Sequence, residues 1–187
     1  MLTLHGWMPD ERSYAVRLAA SFLAVPLAEV TDRRAEIYGP VLSDGDDVYC
    51  VGLVDIFEYF SRLPNVEWSF PDGEERTILK WALEGLGQFS TARRHALSAP
   101  VPVRGETEAV RDFFRALEDR LAACHLSGQP WLSGQMPGFI EIVVFPVAGL
   151  ARDLGISMDL YPATRRFVHQ LRQRPGFIVM PGIPSCH

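Results

Sequence analysis

The side chains best equipped for chemistry stand in a few short clusters. Asp44, Asp46 and Asp47 share one turn and could hold a cation, although acids around Gly45 are what a solvated hairpin turn requires. Arg93-Arg94-His95 could meet an anion, or simply form the polar end of a helix, where the macrodipole favours cations. Cys50, Cys124 and Cys186 lie far apart, with neither CxxC nor metal-ligand spacing. Cys50 falls within an apolar strand and reads as a buried, inert thiol. The five histidines show no HxH or HExxH pattern, so no metal site is proposed. Asp10 stands where it can cap a helix, with Ser13 in that helix's first turn.

These residues need elements to position them. The stretch from Tyr38 to Leu63 organises the reading. Pro40 opens the short apolar run Val41-Leu42, and Ser43 to Asp47 carries hairpin chemistry, since Gly and Asp tolerate positive φ. Val48 to Val51 reads as the returning strand. After Gly52 the apolar period changes from two to about 3.6, with Leu53, Ile56, Phe57, Phe60 and Leu63 on one helical face. Upstream, Leu2 to His5 reads as a strand and Gly6 to Asp10 as a loop. Ala15, Leu18, Ala19, Phe22 and Leu23 stripe a helix that Pro26 ends, and Leu27 to Val30 forms a second strand. Only about ten residues separate Val30 from Pro40, too few for a full helix between strands.

Residues 65–73 have linker composition, and the remainder is helical. Faces run through Ile78, Leu79, Ala82, Leu86 and Phe89, and through Val110, Phe113, Phe114, Leu117 and Leu121, with a break at 98–103. Phe139 to Leu150 is apolar on nearly all sides, as a fully buried helix would be. Gly138 and Glu141 suit its start, with Glu141 reaching back to the cap N–H. Thr164, Phe167, Val168 and Leu171 make a last face before Arg174-Pro175.

With 187 residues, 48% of them hydrophobic, the chain can bury one sizeable core or two small ones. Net charge is −5, Lys80 is the only lysine, and no basic run occurs, which argues against nucleic acid as a partner. No apolar run approaches the roughly 18 residues of a membrane span, and no signal peptide is apparent. A cytoplasmic protein without a membrane partner is expected.

The strand–hairpin–strand–helix span resembles the second half of the thioredoxin-like domain of glutathione transferases, with Pro40-Val41-Leu42, Asp44-Gly45 and Glu58-Tyr59-Phe60 matching its landmarks. Trp131-Leu132-Ser133-Gly134 before the capped apolar helix, and Leu171 to Pro175, are similar to that family's later landmarks. The resemblance implies an α+β architecture. A thioredoxin-like domain over 1–64, its second helix short or missing, would be joined by the 65–73 linker to an all-helical domain over 74–187. It also implies a cis Gly39–Pro40 bond. Homodimerisation would use the third- and fourth-strand side of the first domain and the first helices of the second, with Val48, Tyr49, Phe57, Trp68 and Phe70 supplying apolar surface.

For the site, the resemblance implies glutathione as ligand. Trp7, Asp10, Gly39, Pro40, Val41, Val51 and Gly52 would then lie at the binding positions, and Ser13 would be the nearest catalytic hydroxyl. The departures are specific. Asp10, or Pro9, stands where the family stabilises a thiolate, and a carboxylate there has the wrong sign. Trp7 donates only through its indole N–H. Val51-Gly52 replaces the Glu-Ser pair that holds the γ-glutamyl end, leaving backbone N–H groups alone. The expectation is an eroded glutathione site, weak or no conjugating activity, and a role in binding a small molecule or protein. The alternative is an active glutathione-dependent transferase, isomerase or peroxidase working through backbone contacts and Ser13.

Overall fold

The computed structural model describes residues 1–45, 47, 49–99, 107–180 and 183. The elements in order are β1 (Thr3–Gly6), α1 (Glu11–Phe22), β2 (Ala28–Thr31), α2 (Ala35–Tyr38), β3 (Val41–Ser43), β4 (Tyr49–Val51), α3 (Gly52–Ser61), α4 (Gly73–Ser98), α5 (Glu108–Leu126), α6 (Phe139–Gly149) and α7 (Pro162–Arg172). Short 3₁₀ turns at Ala151–Leu154 and Met158–Leu160 precede α7. The architecture is α+β: a thioredoxin-like unit followed by a helical one. Asp46, Val48, residues 100–103 of the 98–103 break, and Cys186 lie outside the described residues.

The chain divides into two compact units, residues 1–71 with 174–181, and residues 72–173 with 182–187. The sequence reading places the whole tail with the helices. The structure returns part of it to the first unit, where the Tyr14 hydroxyl donates to the Ile178 carbonyl (2.7 Å) and Ser21 Oγ to the Gly176 carbonyl (2.7 Å). Met180 is fully buried.

In the first unit the four strands run β2-β1-β3-β4, with β1 parallel to β2 and β3 antiparallel to both β1 and β4. Leu4 and Leu42 face each other on the buried side of the sheet. Tyr14, Leu18, Ile56, Phe57 and Phe60 from α1 and α3 complete the core. Phe57, expected to supply dimer surface, is fully buried here, because it sits on the same helical face as Ile56 and Phe60. The helix between β2 and β3 is reduced to the single turn of α2, as ten residues dictate. The Gly39–Pro40 bond is trans, against expectation. Gly39 makes the turn itself, at φ 90°, a conformation open to glycine and rarely to other residues.

In the second unit α6 is the hub. Every residue from Phe139 to Ala148 is buried, and α4 lies against it. Glu141 is fully buried at the start of α6 and accepts from the Gly138 N–H (2.7 Å), the Ser133 N–H (3.0 Å) and Ser133 Oγ (2.6 Å). The reach to Gly138 is the expected one. The Ser133 contacts add a tether to the preceding loop, which the spacing alone does not reveal. Glu118 of α5 caps α7 in the same manner, accepting from the N–H groups of Ala163 (2.7 Å) and Thr164 (2.8 Å). Arg93 is not at a solvated helix end: it is buried within α4 and pairs with Asp153 at 2.6 Å. Among the described residues no helix is long and apolar enough to cross a membrane.

Candidate functional site

The candidate site is built from two helix starts in the first unit. At the first, Asp10 adopts an extended backbone and caps α1. Its Oδ2 accepts from the Ser13 N–H and from Ser13 Oγ, both at 2.7 Å. The Ser13 hydroxyl in turn accepts from the Trp7 N–H at 3.1 Å. Asp10 is 2% exposed and Ser13 1%. The helix end, its cap and the hydroxyl therefore form a closed set. The positive end of α1 is occupied by a carboxylate of the chain itself.

Arg12 joins this set, a residue the sequence reading passed over. Its guanidinium meets Asp10 Oδ1 through Nε (3.3 Å) and Nη2 (3.2 Å), so the Asp10 charge is balanced in place. The same Nη2 donates to the carbonyls of Ala35 (2.8 Å) and Glu36 (2.7 Å). Those carbonyls belong to the one-turn α2, where that of Ala35 also accepts from the Gly39 N–H at 2.9 Å. A one-turn helix leaves most of its carbonyls to partners outside it, but no spacing marks Arg12 as the donor.

The second helix start is that of α3. Val51 closes the β3–β4 ladder opposite Val41, and the Gly52 N–H donates to the Pro40 carbonyl at 2.8 Å. Gly52 has φ 80°, so the strand turns into the helix on a glycine conformation. α3 has no side-chain cap, and Asp55 stands in its first turn, where it complements the dipole. Gly39 and Gly52 approach closely, and a Cβ on Gly39 would lie 3.7 Å from Gly52 Cα and 3.9 Å from Arg12 Nη1. The structure thus gathers Gly39, Pro40, Val41, Val51 and Gly52 in one corner and Trp7, Asp10 and Ser13 in another, with Arg12 reaching between them. Trp7 turns its ring to Arg33, whose guanidinium carbon lies 5.1 Å from the ring centre. A cavity of about 30 Å³ beneath Trp7 and Ser13 has room for about one water molecule.

Neither described thiol is activated. Burial, then Asp55, pushes the Cys50 thiol up, and burial, then Glu141, does the same to Cys124 against a smaller opposing effect of Arg120.

Solved structures with this architecture are numerous. A glutathione S-transferase from Xanthobacter autotrophicus Py2 is 17% identical over 97% of this chain and 98% of its own, with a TM-score of 0.78. A glutathione S-transferase from Methylobacillus flagellatus KT with glutathione bound is 16% identical over 94% and 96%, with a TM-score of 0.73. FzlA from C. crescentus is 20% identical over 99% and 96%, with a TM-score of 0.65. The chain has the glutathione-transferase fold. No family model matches the sequence, and neither does any curated protein. The likeness is one of backbone, carried at 15–20% identity.

Proposed function

We propose that this glutathione-transferase-like protein is a binding scaffold whose glutathione site is eroded, with weak or no conjugating activity. The observation that carries this reading is the closed Asp10–Ser13–Trp7 set. A glutathione thiolate would need donors at the start of α1, and there Ser13 Oγ and the Ser13 N–H are both committed to a buried carboxylate. Uncapped α3 adds to it, since Val51 and Gly52 have no side-chain group to offer a γ-glutamyl end, and Asp55 opposes a second anion. The loss of two charge-assisted contacts, each worth about 1.5–3 kcal/mol, weakens binding by roughly two to four orders of magnitude.

One observation favours the alternative of an active glutathione-dependent enzyme. Arg12 Nη1 faces the Gly39–Gly52 corner, where it could supply positive charge beside the first-turn amides of α3. A steady-state conjugation assay with glutathione and a generic aryl halide tests the choice. The scaffold reading expects the rate of the buffer blank, and turnover well above it would favour the enzyme.

The protein is further proposed to be cytoplasmic and homodimeric. β4 is one of the two edge strands of the sheet and carries Tyr49, 75% exposed, close in sequence to the exposed Val51 and Val54. Exposed apolar surface of this kind marks interfaces. Light scattering at tens of micromolar should give twice the chain mass, and a monomer mass would end the dimer proposal.

A further inference from the structure

The second unit holds a large groove between α7 and the turns that precede it. It encloses about 980 Å³ and is lined by Arg152, Arg165, Arg166, His169 and Arg172, with Asp159 as the acidic residue among its described lining. Asp159 is already engaged by Arg165 at 3.2 Å. Asp153, next to Arg152, is neutralised by Arg93 on the far side of the turn. The described lining therefore carries four arginines against one carboxylate, on a chain whose net charge is −5. Its floor is apolar, from Ile156, Val168 and Ile183.

The arrangement follows from the sequence of α7. Thr164, Phe167 and Leu171 are buried in the core, which leaves Arg165, Arg166, His169 and Arg172 toward the other side. From Arg165 to Arg172 the arginines are strung along about 10 Å of helix rather than converging on one point. A volume of this size stands at the upper end of small-ligand sites, and the charged rim is exposed. A ligand with a single carboxylate would engage one or two of these groups. An extended chain with several carboxylates, and apolar side chains between them, would engage the rim and the floor together. The described lining has no aromatic ring on which a base could stack, which disfavours single-stranded nucleic acid.

We infer that this groove docks an acidic, partly apolar segment of a partner protein. The site lies wholly in the second unit, so the inference stands apart from the fate of the glutathione site. The test is fluorescence anisotropy with a short fluorescein-labelled peptide in which glutamates alternate with leucine and serine. Saturable binding that weakens as salt is raised is expected. Arg152→Glu with Arg166→Glu should reduce affinity by about tenfold or more, and Asp159→Asn should increase it. Both arginines are exposed, and circular dichroism melts verify that the variants fold; should the double variant fail to fold, Arg166→Gln and Asp159→Asn carry the same comparison. No saturable binding, or equal affinity in the charge variants, overturns the inference. So does tighter binding of an oligothymidylate or of phosphatidylserine vesicles than of the peptide.

Discussion

At the scale of single residues, two of the buried carboxylates, Asp10 and Glu141, work differently. Asp10 keeps a counter-charge, since Arg12 sits 3.2 Å away, so the sign of its charge matters less than the donors it consumes. Glu141 has no cation among its bonded partners, and burial pushes its carboxyl above the ordinary 4.5 although Ser133 and Gly138 donate to it and act the other way. A carboxyl whose folded pKa is raised binds its proton more readily in the native state. As pH falls through that raised value toward 4.5, the native state gains stability relative to the unfolded chain, and below 4.5 the gain is complete. Glu141→Gln removes this titration. The wild type should therefore gain on the Gln variant as pH is lowered through that window, measured as the difference in thermal midpoint. A difference that is constant with pH, or that grows in the variant's favour on acidification, would contradict the assignment. Glu141→Ala leaves the part-buried Ser133 and Gly138 donors without their acceptor and should cost about 1–3 kcal/mol.

At the scale of elements, what could be read from the sequence was whatever periodicity and turn chemistry control. The β3–β4–α3 span, the curtailed α2 and the all-round apolar α6 follow from proline and glycine positions, from chain length and from apolar spacing. Asp10 as a cap was legible because capping is local. The commitment of Ser13 Oγ to that cap was not, since it depends on the rotamer chosen in three dimensions. Arg12 was missed because its acceptors, Ala35 and Glu36, lie more than twenty positions away, and a single arginine carries no spacing signal. The trans Gly39–Pro40 bond was likewise beyond reach, because the glycine φ that makes the turn is a tertiary choice. The reach of Arg12 has a consequence for α2. Arg12→Ala strips the outside donor from two carbonyls and the counter-charge from buried Asp10, and should cost about 2–4 kcal/mol in urea unfolding. Arg12→Lys should recover only part of that, because one ammonium cannot reproduce the forked contacts. An Arg12→Ala variant as stable as the wild type would show that α2 is held by other means.

The whole molecule has the glutathione-transferase backbone. The fold that holds glutathione in the Methylobacillus flagellatus transferase is present from end to end, while the helix starts of the first unit are filled from within or left without side-chain donors. The second unit carries a groove of about 980 Å³ lined by four arginines, on elements that the thioredoxin-like unit does not contribute. Isothermal titration of the wild-type chain with reduced glutathione tests the central claim most directly. Loss of two charge-assisted contacts moves a micromolar ligand to about millimolar or weaker, so the account predicts no heat of saturable binding at micromolar concentrations. A saturable isotherm with a micromolar Kd would contradict it.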